Sequence, residues 1–155
     1  MALIIRLFEE SDFNTVCLYE RMRSRSTYGS AVFIRQASVI FSQFFFVAEH
    51  EGIVGGYGIG ALNQNNMEEG WVLRLNVDQH LRSRGIGRLL LEHVIGSLIV
   101  AGATRILLSV APGNTSAIRL YERFGFLKTQ FLANYFGNGE DRIIMLYEPS
   151  TGASE

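Results

Sequence analysis

The run LRLNVDQHLRSRGIG, Leu73–Gly87, constrains this chain more than any other stretch. It closes a segment, WVLRLNV, in which Trp71, Leu73, Leu75 and Val77 alternate with Val72, Arg74 and Asn76, the period of a strand with one well-buried face. After Gly87, the residues Leu89, Leu90, Val94 and Leu98 fall on one stripe of a helix. Strand, polar turn, glycines and helix in that order commit the region to an α/β unit. The first-turn amides of such a helix have no internal acceptors and suit an anion. Gly85 and Gly87 carry no Cβ, so a pyrophosphate can come close to the backbone, and Arg82, Arg84 and Arg88 add positive charge.

Two common phosphate loops do not fit. A dinucleotide fingerprint requires G-x-G-x-x-G and an acid near the end of the next strand, whereas here the order is R-x-x-G-x-G and RILLSV offers no acid. A nucleoside-triphosphate loop requires Lys-Ser/Thr after its glycines, and GIGRLL lacks that pair. A second glycine-rich stretch, IVGGYGIG, is followed by NQNNMEEG rather than a helical pattern, so it reads as strand plus surface loop.

Downstream, RILLSV is a short apolar strand and APGN a turn, with Asn114 to Ser116 available to cap a helix. In that helix Ala117, Leu120, Tyr121 and Phe124 share one side, and Gly125 ends it. With both segments in view, the chain resembles the GNAT superfamily of acyl-CoA-dependent N-acyltransferases. RSRGIG (Arg82–Gly87) is similar to its pyrophosphate motif and NTSAIRLYERFGF (Asn114–Phe126) to its second motif. NYFGNGEDRIIMLY (Asn134–Tyr147) looks like the ending of the RimI-type branch, which acetylates protein N-terminal amines. The match covers roughly residues 72–147; residues 1–70 agree in layout only.

The resemblance implies an α/β fold with a mixed, mostly antiparallel sheet, helices on both faces, and splayed fourth and fifth strands. It implies acetyl-CoA as cofactor. Backbone groups of Leu75, Asn76 and Val77 would bond the pantetheine arm, amides of Arg82, Ser83, Arg84, Gly85, Ile86, Gly87 and Arg88 would hold the pyrophosphate, and Asn114 would contact the pantetheine or its neighbouring backbone. Tyr121 would stand near the thioester sulfur as general acid. No metal is implied.

The pattern departs from the branch at the base. Where a carboxylate commonly sits in the strand before the second motif, this chain has Ser109, which can position a water but is no base at neutral pH. Glu68 and Glu69 are candidates by location alone, and Glu140 and Asp141 either orient substrate or cap a hairpin. His50, His80 and His93 have no partners legible in the sequence. An α-amine, with a pKa near 8, is about one-tenth neutral at pH 7, against well under a hundredth of a lysine amine near 10.4. A site with a poor base therefore favours a protein or peptide N-terminus. Lysine or a small amine, such as a polyamine or aminoglycoside, is the alternative acceptor, and a non-catalytic acyl-CoA-binding module is a third reading. Tyr135 and Phe136 are similar to the paired aromatics that bind peptide in this branch, and Glu69 and Ser109 join them as candidate substrate contacts. Glu9, Glu10, Asp12, Tyr28 and Tyr57 could also line an acceptor groove.

At 155 residues the chain reads as one domain, residues 1–148, with a flexible tail at 149–155. Fourteen basic residues against 15 acidic ones leave no basic stripe for nucleic acid beyond the RSR loop. The lone cysteine, Cys17, forms no internal disulfide and reads as a buried thiol. The start, MALIIRLFEESDF, is charged too soon for a secretory signal, and the apolar run near LIVAGA is too short to span a bilayer, so a cytoplasmic protein is expected. Monomer and dimer are both open.

The expected elements begin with a strand at Leu3–Phe8 and a helix from about Ser11, its N-cap, to Arg25. Residues 30–41 are ambiguous between helix and loop. Two strands follow around a Glu51–Gly52 turn, the second weakened by glycine. The Trp71 strand, a helix, the Ile106 strand, the Tyr121 helix, and an antiparallel pair at about 126–136 and 142–148 complete the order.

Overall fold

A computed structural model describes residues 3–150, and all but the first two residues of the expected tail lie outside the described residues. The chain divides into two compact units, Met1–Ala61 with Val72–Leu98, and Leu62–Trp71 with Ile99–Glu155.

In the first unit, β1 (Leu3–Leu7) runs antiparallel to β2 (Phe45–His50), with Leu3 opposite His50 and Leu7 opposite Phe46. A turn with both Glu51 (φ 54°) and Gly52 (φ 80°) in the left-handed region returns β2 into β3 (Ile53–Asn63), the mirror-image geometry that matches the twist of paired strands. β3 is not the weak strand its glycines suggest: Val54–Ala61 are all buried. The glycines make room for the neighbouring layer. A Cβ on Gly58 would lie 3.0 Å from Val94 Cγ2, and one on Gly56 would lie 3.2 Å from Leu90 Cδ1 and 3.0 Å from the Asn76 carbonyl. IVGGYGIG is thus the expected strand, thinned for helix packing; the surface loop expected at NQNNMEEG is only a tight turn at residues 64–65, because β4 already begins at Asn66.

Two helices lie between β1 and β2. α1 (Phe13–Ser24) follows a 3-10 turn at Glu10–Asp12, so the cap falls at Asp12 and not at Ser11. The Asp12 carboxylate accepts from the Glu9 amide at 2.8 Å and from both terminal nitrogens of Arg6 at 2.8 and 3.0 Å. The ambiguous segment is a helix, α2 (Thr27–Ile40), capped by Ser26, whose hydroxyl accepts from the Gly29 amide at 3.0 Å. Its buried residues, Ser30, Ile34 and Ala37, keep a helical spacing. Val16, Ile34, Phe45, Val47, Tyr57 and Ile59 form the core here, with Cys17 packed half-buried against it.

β4 (Asn66–Val77) contributes to both units, and α3 (Ile86–Val100) follows it. The expectation of one buried face on β4 is corrected: both sides are covered. Leu75 and Val77 pack with Ile86 and Leu90, while Arg74 and Asn76 reach α1.

In the second unit, the first part of β4 is parallel to β5 (Arg105–Val110), Glu69 opposite Arg105 through Trp71 opposite Leu107. Among the described residues this is the parallel pairing of the sheet, the others being antiparallel. β5 is antiparallel to β7 (Arg142–Tyr147), which is antiparallel to β6 (Leu127–Leu132). α4 (Thr115–Phe124) connects β5 to β6, ending at Gly125 with φ 122°. The result is the expected α/β class with a mixed, mostly antiparallel sheet.

Candidate active site

The candidate phosphate loop is built by the first unit. After Val77 the chain is pinned twice to its own strand layer: the Asp78 amide donates to the Gly55 carbonyl at 2.7 Å, and Arg82 Nε donates to the Val77 carbonyl at 3.2 Å. Asp78 accepts from the His80 amide at 2.9 Å, opening a short 3-10 turn at Gln79–Leu81. That backbone bond leads the causes that hold the Asp78 carboxyl below the usual range. Ser83 (φ 66°) and Gly85 (φ 78°) then take left-handed conformations directly before α3. Such alternation turns successive amides toward one concavity. Nothing lies within 4 Å of where a Cβ on Gly85 would be, and Arg82, Ser83, Arg84 and Gly85 are exposed. The loop therefore fits a pyrophosphate on shape, charge and open backbone together. Arg88 is partly engaged, its Nε donating to Glu92 at 3.2 Å. Ile86 is buried under the loop and anchors α3.

Beside this loop the first unit holds a charge network that the sequence did not announce. Glu20, 2% exposed on the inner face of α1, accepts from Arg74 Nε at 2.9 Å and from the Tyr57 hydroxyl. Arg74 also donates to the Leu73 carbonyl at 2.9 Å, and Asn76 Nδ2 donates to the Tyr19 carbonyl at 3.4 Å. Burial, reinforced by the Glu20 charge, raises the Tyr57 phenol above its ordinary value. Tyr57 is wholly buried and lines no groove, contrary to expectation. Asp12 and Glu10 are likewise spent on Arg6 and Arg35, whereas Tyr28 is open at 82% exposure. The available signal was an acid in register with Val16 on α1 and an arginine inside an apolar strand.

In the second unit, Asn114 caps α4 through its side-chain Oδ1, which accepts from the Ala117 amide at 3.3 Å, and the residue is exposed. Tyr121 is 8% exposed, with its ring edge-to-face against Phe126 at 5.8 Å. Ile118, absent from the expected stripe, shares the buried side of α4. Ser109 is half-buried opposite Ile144. Glu69 is tied by structure: its Oε1 accepts from Trp71 Nε1 at 2.8 Å and Asn63 Nδ2 at 3.1 Å. Glu68 is exposed and engages through its backbone, its carbonyl accepting from the Thr104 amide at 2.7 Å.

The β6–β7 loop is ordered by its own polar groups. Asp141 accepts from the Asn134 amide at 2.8 Å, Asn134 Oδ1 accepts from the Gly139 amide at 2.8 Å, and Glu140 pairs with Arg142 at 3.2 Å. Glu140 and Asp141 thus support the hairpin. Tyr135 and Phe136 stand out from it, 46% and 61% exposed, their rings 4.9 Å apart and Arg142 over the Phe136 face. Tyr135 also edges an open cavity of about 480 Å³ on the sheet face, floored by Leu107, Ile144 and Leu146. Among the described residues no helix is long and apolar enough to cross a membrane.

Comparison with known proteins agrees with this layout. The chain is 32% identical over 145 residues to an uncharacterized N-acetyltransferase of Methanocaldococcus jannaschii, covering 93% of this chain and 90% of that protein. It is 38% identical over 88 residues to the [ribosomal protein bS18]-alanine N-acetyltransferase of Salmonella typhimurium, covering 55% and 60% of the two chains. Its fold is similar to that of yncA from Salmonella typhimurium, solved with its cofactor acetyl-CoA, at a TM-score of 0.81 and 17% identity over 100% of this chain and 98% of that one. The acetyltransferase (GNAT) family pattern matches residues 7–126, and the chain belongs to that family.

Proposed function

We propose that this GNAT acetyltransferase transfers the acetyl group of acetyl-CoA to the N-terminal α-amine of a protein or peptide, as one catalytic domain over residues 1–148 in the cytoplasm. The loop at Ser83–Gly85 carries the cofactor reading: left-handed backbone and exposed arginines at the start of α3 suit a pyrophosphate. Amides from Arg82 to Arg88 would hold it, with backbone of Leu75, Asn76 and Val77 and the exposed Asn114 side chain serving the pantetheine arm. Acetyl-CoA supplies an activated thioester that a neutral amine attacks directly.

Tyr121 donates a proton to the leaving sulfur and recovers one from water, while the proton lost by the amine passes to water that Ser109 helps to position. Phenol donation is worth about 10²-fold at the lower end of the general-acid range. No carboxylate takes the base position in β5, which suits an amine already partly neutral at pH 7.

The second unit's cavity supports a peptide over a polycation. Its one charged lining residue is Arg105, the wrong sign for a polyamine or aminoglycoside, and Tyr135 stands at its edge. The resemblance to the bS18-alanine N-acetyltransferase points the same way.

The test is transfer from acetyl-CoA to peptides with free N-termini, the same peptides N-blocked but containing lysine, and polyamines, with the acetyl group located by mass spectrometry. Transfer to free N-termini alone is expected. Transfer only to lysine or polyamines would replace the acceptor, and binding of acetyl-CoA without transfer would make the chain a binding module.

A further inference from the structure

The cavity of the second unit holds a cation left over by the folding of its own surroundings. Register places Glu69 directly opposite Arg105 on parallel neighbouring strands, close enough in sequence register for opposite charges to pair. Here the Glu69 carboxylate is turned to Trp71 Nε1 and Asn63 Nδ2 instead. The Arg105 side chain is exposed and forms no hydrogen bond or ion pair among the described residues. It lines the same cavity as Trp71, Gln130 and Tyr135, over the apolar floor of Leu107, Ile144 and Leu146.

Size and composition describe the occupant. A cavity of about 480 Å³ is too large for an ion and open along one side, so it suits a short stretch of chain. An apolar floor, two aromatic walls and a single forked donor match an aliphatic stem that ends in a carboxylate. The reading rests on the peptide acceptor proposed above, because Tyr135 belongs both to this cavity and to the exposed aromatic pair of the β6–β7 loop.

We propose that this cavity takes an acidic side chain, Asp or Glu, carried by the acceptor polypeptide downstream of its α-amine, and that Arg105 selects it. The enzyme then discriminates acceptors at two separate places: at the amine, and at a residue further along the chain that takes no part in the chemistry.

The experiment uses the full chain and hexapeptides with one fixed first residue. Asp is placed at positions two to six in turn, each paired with its Asn isostere, and kcat/KM is measured for both. At one position Asp should exceed Asn by about fivefold to tenfold, chiefly through KM, and the ratio should shrink with added salt because a partly exposed charge pair is screened. In Arg105→Gln the ratio should fall to about one, and in Arg105→Glu the position should prefer Lys over Asp. Each ratio is internal to one protein, so a change in overall activity leaves it readable. Equal rates for Asp and Asn at every position, or a preference that survives Arg105→Gln, would overturn the inference and leave N-terminal acetylation standing. A second copy of this chain covering the cavity would show as a concentration-dependent mass abolished by Arg105→Glu with no peptide preference, which also overturns it. No acetylation of any free N-terminus would sink the acceptor reading, and this inference with it.

Discussion

Two strand arginines, one in each unit, are treated in opposite ways. In the first, Arg74 lies in a strand covered on both sides, and its guanidinium is held by the buried Glu20, which in turn accepts from Tyr57. In the second, Arg105 begins a strand whose neighbouring acid bonds elsewhere, and its side chain faces solvent beside a cavity. The two residues carry the same charge and belong to neighbouring strands. The difference lies in whether the surrounding polar groups satisfy each other. Where they do, no buried side-chain nitrogen or oxygen is orphaned among the described residues, and the network fixes the position of β4. Where they do not, the remaining charge is available for recognition.

The largest effect is expected from breaking the closed network. Glu20→Ala takes an acceptor from the wholly buried Tyr57 hydroxyl and the carboxylate from the partly buried Arg74, which together should cost about 2–4 kcal/mol, read from the urea midpoint. Tyr135→Ala in the open second unit should move that midpoint by less than about 0.5 kcal/mol. Equal shifts would erase the contrast between the regions.

Next comes chemistry. Tyr121→Phe keeps the ring against Phe126 and removes only the hydroxyl, so kcat should fall about 10- to 100-fold with affinity for acetyl-CoA retained. An unchanged kcat would remove Tyr121 from the proton path. A smaller effect, about 1–3 kcal/mol of lost stability, is expected for Gly58→Ala, because its Cβ would press on Val94 where α3 meets β3. Thermal unfolding of that variant beside Gly113→Ala, which has open space around it, separates crowding from backbone entropy.

The smallest effect concerns Asp12. Burial works to raise its carboxyl, but bonds from Arg6 and from the Glu9 amide outweigh burial and hold it below the usual carboxylate range. A depressed folded value means that the stabilisation is complete at neutral pH and disappears as pH falls through that value. Asp12→Asn should therefore cost about 1–2 kcal/mol at pH 7, and the gap from the unsubstituted protein should close below about pH 4. A gap independent of pH would mean that shape rather than charge holds the Arg6–Asp12 contact.

Much of this arrangement was legible because the relevant patterns are local. The strand–loop–helix at Leu73–Gly87 depends on alternation, two glycines and a helical stripe, all within one stretch of chain. Asn114 capping α4 and the left-handed turn at Glu51–Gly52 are decided within four residues. The errors occurred where a residue's partner is distant. The glycines of β3 looked like weakness because Val94 and Leu90, which occupy their missing side chains' space, come over thirty residues later. Ser11 as cap was a local miss of a different kind: Glu9 and Asp12 close a capping box around a 3-10 turn, and α1 starts after it. Tyr57 looked like a groove residue until Glu20 and a full layer of core enclosed it.

The sequence by itself determined most of the order of elements (all but α2), the glycine loop before α3 and the family, since backbone conformation and helix capping respond mainly to near neighbours. Only the tertiary structure decided which charges are spent and which remain. A carboxylate's partner is chosen by competition among groups brought together from distant parts of the chain, and the winner depends on distances of a few tenths of an ångström. Glu69 sits opposite Arg105 in register yet bonds to Trp71 and Asn63, and that choice leaves Arg105 exposed at the cavity.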